Sequence, residues 1–350
     1  MKEHEFENVL IVRTDRIGDV VLTLPMVPAL HAKFPGRRIS MLLRSYTQEL
    51  VDGFDGLESI LSYDDRGTPK SFFALLFELR QRRFDVVFVV HPTFRLALLM
   101  LFAGIPIRVG TGYRWYSFLF KRRVFEHRKK AEKHEAEYNL SLLQAVGCDI
   151  RSIPTITLAV SEAARNAAAQ ETKQLGVLPN EKLVILHPGS GGSARDWSPQ
   201  NFGDLAKALN DDGCSVVVTG SSSEKSLVEE VVKRSRGSAV ASAGRLSLKE
   251  LAAFIRPARL FVSNSTGPLH IAAAMGTPVI AFYPPIRECS PRRWGPLTEK
   301  KMVFAADNAL CVRCNGGLCQ GNDCMDQITV DRVAQAARQI LSDGEMRNES

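Results

Sequence analysis

Short apolar runs separated by stretches of helical spacing recur along the whole chain. Val9 to Val12 is an unbroken apolar run. It is followed by the polar loop Arg13 to Asp19 and then by apolar positions at Leu24, Val27, Leu30 and Phe34, the spacing of a helix with one buried face. The unit returns with Ile39 to Leu43 as a strand, Ser71 to Arg82 as a helix and Asp85 to Val90 as a strand of nearly continuous Val and Phe. Strands that are apolar throughout are covered on both faces, and their alternation with helices builds a parallel sheet. The rhythm restarts in the second half with strand Leu183 to Leu186, helix Pro199 to Asp211, strand Ser215 to Thr219, helix Ser223 to Ser235 and strand Leu260 to Val262. Pro154 and Pro179 flank the Ala-rich helical pattern Ser161 to Leu175, which places a linker at about Ile150 to Ala159. The pattern predicts an α/β chain of two doubly wound, Rossmann-like domains, 1–158 and 159–350, facing a central cleft. The last helix, about 329–342, is free to pack back on the first domain.

Length and composition agree with that division. A chain of 350 residues is long enough for two cores, and 45% hydrophobic with 24% charged residues excludes a disordered or fibrous chain. The longest apolar stretch, Leu96 to Ile107, contains Gly104 and Pro106 and falls short of the roughly 20 residues of a membrane span. Met1 to Asn8 is charged and Val9 to Val12 is too short for a secretory signal, so a cytoplasmic location is expected. The net charge of +7 divides unevenly, with 23 basic and 18 acidic residues to Val160 (+5) and 22 and 20 after it (+2). The excess is concentrated at Arg114, Lys121, Arg122, Arg123, Arg128, Lys129, Lys130 and Lys133. Such a cluster is either a solvated face or a seat for an anionic partner such as a phosphorylated lipid or a membrane surface. No nucleic-acid-binding motif accompanies it, so nucleic acid is not expected as a partner.

In doubly wound domains ligands bind beyond the carboxyl ends of the strands, so the loops there are where chemistry is sought. The first loop runs Arg13-Thr14-Asp15-Arg16-Ile17-Gly18-Asp19. Gly18 is expected to let the backbone turn tightly, and Asp19 to sit near a helix N-terminus that favours its charged form. Asp15 is the competing carboxylate, and for both the plain reading is a helix cap or turn. The second loop, His187 to Trp197, carries Gly189, Ser190, Gly191, Gly192, Ser193 and Arg195. Its glycines permit close backbone approach, its serines donate hydroxyls, and Arg195 can pair with phosphate oxygens. It matches neither a Walker A loop nor a G-x-G-x-x-G fingerprint. The third, Ser263 to His270, brings Ser265, Thr266, Gly267 and Pro268 to the start of a helix, a seat for the diphosphate of a nucleotide sugar. His270 either reaches the same phosphates or packs in the core. Thr219, Gly220 and Ser221 form a further small-residue loop that can line the nucleotide pocket.

Four of the seven cysteines, Cys311, Cys314, Cys319 and Cys324, cluster near the end. The C-x2-C-x4-C-x4-C spacing admits a structural zinc, reduced thiols packed in a Gly-rich loop, or a disulfide or iron–sulfur role.

Together the three loops resemble glycosyltransferase family 9, the ADP-heptose:lipopolysaccharide heptosyltransferases. The resemblance runs over nearly the whole chain. It is most specific at Ile11-Val12-Arg13, Gly18-Asp19-Val20 and Thr23-Leu24-Pro25, at His187-Pro188-Gly189-Ser190 with Arg195 and Trp197, and at Ser265 to Ala274. It implies a GT-B fold, an N-terminal domain for the acceptor, a C-terminal domain for the nucleotide sugar, and an inverting transfer that needs no metal. Asp19 then matches the general base. Arg195 matches a basic position, usually Lys, that neutralises the departing diphosphate, and Thr266, Gly267 and His270 match the helix start around it. Arg13, Gly18, Ser190, Gly191, Thr219, Gly220, Ser265 and Pro268 complete the implied substrate contacts. Ser265 stands where the family often has an Asp, so heptose is the favoured donor sugar among several.

The implied reaction moves a heptose from ADP-heptose to a lipopolysaccharide core acceptor, a lipid-linked, anionic saccharide at the inner face of the cytoplasmic membrane, with the basic cluster as a possible peripheral membrane contact. Two other readings remain. A nucleotide-sugar epimerase of similar shape changes donor without acceptor. A non-catalytic nucleotide-sugar-binding protein has no use for Asp19 and Arg195 together.

Overall fold

The computed structural model describes residues 6–192, 195–307 and 324–346, with side chains as far as 342. The chain divides into two compact units, Met1–Ala159 and Val160–Ser350. The first contains strands β1 (Asn8–Arg13), β2 (Arg38–Leu43), β3 (Ser59–Ser62), the short hairpin strands β4 (Asp64–Asp65) and β5 (Thr68–Pro69), then β6 (Val86–Val89), β7 (Ile107–Thr111) and β8 (Arg122–Val124). Its helices are α1 (Ile17–Val21), α2 (Met26–Lys33), α3 (Ser45–Val51), α4 (Phe72–Arg82), α5 (Phe94–Phe102) and α6 (Glu135–Leu140). The second contains α7 (Glu162–Gln174), β9 (Lys182–His187), α8 (Pro199–Asp211), β10 (Cys214–Gly220), α9 (Lys225–Arg234), β11 (Val240–Ala243), α10 (Leu248–Ile255), β12 (Leu260–Asn264), α11 (Gly267–Ala274), β13 (Val279–Tyr283), α12 (Pro291–Trp294), β14 (Lys301–Ala305) and α13 (Val330–Met346).

Each unit is a parallel sheet, of order β3-β2-β1-β6-β7-β8 in the first and β11-β10-β9-β12-β13-β14 in the second. The central strands owe their place to composition. Val86, Val87, Phe88 and Val89 are all fully buried, as a strand covered on both faces requires. In each unit the winding reverses at the pair of central strands, β1 beside β6 and β9 beside β12. Loops leaving such a pair diverge to opposite sides and open the crevice in which α/β sheets bind ligands. Residues 14–16 and 90–93 therefore flank one crevice, and residues 188–192, 195–198 and 265–266 the other.

Caps define the helices that follow. Ser198 accepts from Asn201 N at the start of α8, and Ser247 and Glu250 form a reciprocal capping box on α10. The helix expected through Leu24 to Phe34 is α2, which starts at Met26 with Pro25 at its cap position, where the missing amide costs nothing, and the short α1 precedes it. Gly18 does not make the turn expected of it. It is the second residue of α1, and the bend falls at Asp15. The last helix, α13, lies against α8, and its Val333, Ala334, Ala336 and Ala337 belong to the core of the second unit. No helix among the described residues is long and apolar enough to cross a membrane. Of the cysteine cluster, Cys311, Cys314 and Cys319 lie outside the described residues, and Cys324 is buried in the second core.

That core is centred on rings. Phe282 lies 4.4 Å from Trp197 and 5.7 Å from Phe202, centroid to centroid, and the Trp197 indole donates to Ile328 O at 2.8 Å. Phe282→Ala is expected to cost about 3 to 5 kcal/mol, because the fully buried ring leaves a cavity that strands on both sides keep open. Denaturant unfolding of the variant measures this directly.

Candidate active site

Arg13 closes β1 and is 2% exposed. A guanidinium cannot lose its proton, so burying it requires anionic or carbonyl partners on every side. Its Nε donates to Asp15 Oδ1 at 2.7 Å, one terminal nitrogen donates to Asp19 Oδ1, and the other reaches Asn139 Oδ1 at 3.2 Å and Glu135 Oε1 at 3.5 Å. Glu135 is itself 1% exposed and is shared with Arg128. Asn139 turns its amide to Leu22 O at 3.0 Å and Thr23 Oγ1 at 3.2 Å, and the Thr23 hydroxyl donates to Asp19 O at 2.7 Å. The loop after β1 is thereby tied to α6, more than a hundred residues away. His91, from the loop after β6, brings Nδ1 to 3.5 Å from Asp15 Oδ2.

Three carboxylates (Asp15, Asp19, Glu135) against two guanidiniums (Arg13, Arg128) leave one net negative charge in this cluster. Burial raises the Asp19 pKa to about 6; Arg13 opposes the rise, while Asp15 and Glu135 add to it. For Arg13 burial works to lower the pKa, but Asp19, Asp15 and Glu135 outweigh it and the guanidinium stays firmly charged. Burial lowers His91 below its ordinary value, against the pull of Asp15. The sequence singled out Arg13, Asp15 and Asp19; it did not identify His91, Glu135 or Asn139, and it read Arg128 only as one of a basic cluster. That cluster is partly internal, since Arg122 donates to Ala145 O and Arg128 to Glu135.

In the second unit the loop after β9 is fastened by Asn264, the last residue of β12. Its Oδ1 accepts Trp197 N at 2.8 Å and its Nδ2 donates to Pro188 O at 2.7 Å. His187 is buried with Nδ1 3.0 Å from Thr219 Oγ1, and burial lowers its pKa to about 4, so the ring is neutral. Gly191 and Gly192 have φ of +58° and +71°, which side chains rarely tolerate. Two of the groups expected to meet phosphate here have partners within the protein. Ser190 donates to Asp196 Oδ2 at 3.0 Å, and the Gly191 amide serves Glu224. Burial raises Asp196 to about 6. Burial also works against the charge on Glu224, but hydrogen bonds from the Ser221 amide and hydroxyl and from the Gly191 amide hold its pKa below its ordinary value. Glu224 presses so closely on the loop that a Cβ on Gly189 would fall 2.0 Å from its Oε1. Glu224 was not identified from the sequence, although Ser221-x-x-Glu224 is a capping-box pattern and both halves of the box form.

The remaining expected residues frame this loop. Thr219 is buried at the end of β10, with Gly220 half-exposed beside it. Thr266 occupies the cap position of α11, followed by Gly267 and Pro268, and its side chain makes no capping bond, which leaves the first helical amides without that partner. Ser265 bonds the buried Tyr283, His270 is buried in α11, and Arg195 stands half-buried between β9 and α8.

The model of glycosyltransferase family 9 (heptosyltransferase) matches residues 72–322. The chain belongs to this family. Family 9 relatives include Escherichia coli lipopolysaccharide heptosyltransferase 3, 26% identical over 275 residues, covering 76% of this chain and 80% of that one. A Haemophilus influenzae protein named as a candidate glycosyltransferase is 29% identical over 300 residues, covering 84% and 87%. Among solved structures, a family 9 glycosyltransferase from Veillonella parvula superimposes with a TM-score of 0.84 at 21% identity, covering 97% of this chain and 99% of that one. E. coli ADP-heptose LPS heptosyltransferase II gives 0.79 at 24% identity, with the same coverage. The fold is GT-B, and the protein is a glycosyltransferase.

A carboxylate whose pKa rises on folding binds more protons in the folded state, so its contribution to stability falls as pH climbs from about 4 to about 6. Asp19→Asn removes that contribution, and the gap in urea midpoint between the variant and the unsubstituted protein is expected to shift in favour of the variant across this window. A constant gap would mean that Asp19 titrates normally.

Proposed function

We propose that the protein is an inverting heptosyltransferase that moves heptose from ADP-heptose to a lipopolysaccharide core acceptor, with the first unit serving the acceptor and the second the nucleotide sugar. The observation that carries this reading is Asp19. It is a carboxylate fixed by Arg13 at a switch point of the sheet, with its pKa raised to about 6, so that it is ionised at neutral pH yet basic enough to take a proton. The acceptor hydroxyl attacks the anomeric carbon from the face opposite the leaving group and gives its proton to Asp19. The bond to the diphosphate breaks with its electron pair, and ADP departs. Asp15 and His91, beside Asp19, are placed to orient the acceptor.

On the donor side the amides opening α11 at Gly267, with Ser265 and Thr266, supply positive potential for the diphosphate, and Arg195 adds the full charge that meets the negative charge developing on the departing oxygen. Glu224 is a hydrogen-bond acceptor and is unsuited to phosphate. It takes ribose hydroxyls, which puts the nucleoside beside Glu224 and Gly189 and leaves Arg195, later in the β9–α8 loop, for the phosphates. Relatives named as lipopolysaccharide heptosyltransferases, and a solved neighbour named as an ADP-heptose LPS heptosyltransferase, support this donor and acceptor. Because the proton and the leaving-group charge are both handled by side chains and amides, turnover is expected to persist in a chelator.

The test is ADP release with ADP-heptose and a deep-rough lipopolysaccharide acceptor, with the anomeric configuration of the product read by NMR. Asp19→Asn is expected to lower kcat by on the order of 10²- to 10⁴-fold with the fold retained. Arg195→Ala is expected to lower it by roughly 10²- to 10³-fold. In the unsubstituted protein kcat/KM should decline as pH falls through about 6, where Asp19 protonates. Acceptor-independent conversion of the donor, or transfer unaffected in Asp19→Asn, would refute the assignment.

A further inference from the structure

Nine of the thirteen large hydrophobic side chains exposed among the described residues lie between Phe73 and Phe125. A soluble surface seldom gathers so many, and a contiguous patch of them marks a contact surface. Phe73 (79% exposed) and Phe77 stand four residues apart on one face of α4, opposite the buried Leu75 and Leu79. Phe72 meets Phe102 at 6.2 Å and so joins α4 to the end of α5. At the start of α5, Phe94 stacks on Trp115 (72% exposed) at 4.8 Å, and Tyr113 meets Phe125 at 5.4 Å, which carries the surface on to the loops after β7 and β8. Phe118 is exposed between them.

The charge around these rings has one sign. From Val86 to Phe125 the chain contains no Asp or Glu, and its basic residues are Arg95, Arg108, Arg114, Lys121, Arg122 and Arg123. Arg95, Arg108 and Arg122 are spent on backbone carbonyls, whereas Arg114, Lys121 and Arg123 are exposed among the aromatics. The carboxylates at the margin, Glu78 and Glu126, are paired with Lys70 at 3.0 Å and Lys133 at 2.6 Å. We propose that this face of the first unit docks on a bilayer containing anionic phospholipid, with the rings of Phe73, Phe77, Phe102, Trp115, Phe118 and Phe125 entering the interface and Arg114, Lys121 and Arg123 meeting the headgroups. Phenyl rings offer a hydrophilic ligand nothing but stacking, while hydrocarbon and headgroup together satisfy rings and cations alike. A second copy of the chain is disfavoured because two such basic faces repel.

The position of the surface suits the reaction. Because the sheet is parallel, Phe94, Trp115 and Phe125 follow the same ends of β6, β7 and β8 as Asp15 and Asp19 follow of β1. Docking there brings a lipid-linked acceptor to the edge of the unit that holds Asp19, and in this respect it rests on the proposed acceptor. The vesicle measurement contains neither donor nor acceptor, so it succeeds or fails separately from the sugar transfer.

The full chain is centrifuged with vesicles of phosphatidylglycerol and phosphatidylethanolamine, and with vesicles of phosphatidylcholine alone, at low and high salt. Binding to the anionic vesicles that weakens with salt is expected, with a blue shift of tryptophan emission that Trp115→Phe abolishes. Arg114→Gln, Lys121→Gln and Arg123→Gln combined should lower partitioning by on the order of a hundredfold, given the contribution of each basic residue at an anionic surface. Phe73→Ser with Phe77→Ser, and Phe118→Ser alone, should lower it while leaving thermal unfolding unchanged, since the rings are exposed. Absence of vesicle binding, or binding indifferent to all of these variants, overturns the proposal. So does a dimer that the serine variants convert to monomer without any effect on vesicles, which would make the face an interface between copies.

Discussion

Burying Arg13 at the end of a central strand obliges the chain to bring anionic groups to it from several directions, and this requirement organises the part of the first unit around Asp19. Each buried ion forfeits several kcal/mol of hydration, so a guanidinium in this position is stable only when its donors are filled. Asp15 and Asp19 come from the adjoining loop and helix, while Glu135 and Asn139 come from α6, at sequence separations of 122 and 126 residues. A segment whose exposed residues are otherwise mostly basic is held against β1 by its one buried carboxylate. The same contacts tune Asp19. Were the cluster neutral, Arg13 alone would hold Asp19 as a weak base. The third carboxylate leaves an uncompensated negative charge, and this with burial lifts the pKa.

The second unit meets the same topological situation with neutral clamps and one carboxylate, Glu224, on the Gly191 amide. Its central loop is clamped by the Asn264 amide, which accepts and donates at once, and by a neutral His187 against Thr219. Neutral clamps suit the diphosphate proposed to bind here. A permanent ion pair there would compete with the ligand for each partner, whereas amides at a helix start are unspent until the ligand comes.

The sequence made the strand-and-helix rhythm legible because strands covered on both faces are apolar throughout, and β1, β6, β9 and β12 show this without ambiguity. It was less informative at the sheet edges. β14 alternates exposed and half-buried residues, and β8 is only three residues long, too short for a period to show. Asp19 and Arg13 could be picked out because they share one short loop. Glu135 could not, since nothing local separates a carboxylate that neutralises a buried arginine from one that begins an ordinary helix. Glu224 shows the same limit from the other side. Its capping-box spacing was there to be read, but its approach to Gly189 depends on two loops meeting across β9 and β10. Nor do the glycines and serines of the β9–α8 loop, which advertise donors, disclose that Asp196 and Glu224 already use Ser190 and the Gly191 amide.

A transfer of the proposed kind needs two opposite electrostatic conditions: a base that must not be over-stabilised as its anion, and a leaving group that must be. Placed in one loop the two would cancel, since a free arginine beside Asp19 would add to Arg13 and depress the very pKa that burial raises. Assigning the base to β1 of one sheet and the cation to the loop after β9 of another removes the conflict. Each can then be set by its own surroundings, Asp19 by burial together with Asp15 and Glu135, and Arg195 by the loop after β9. The duplicated fold thus gives the proposed base and the proposed cation each a sheet of its own, with its own neighbours to set its charge.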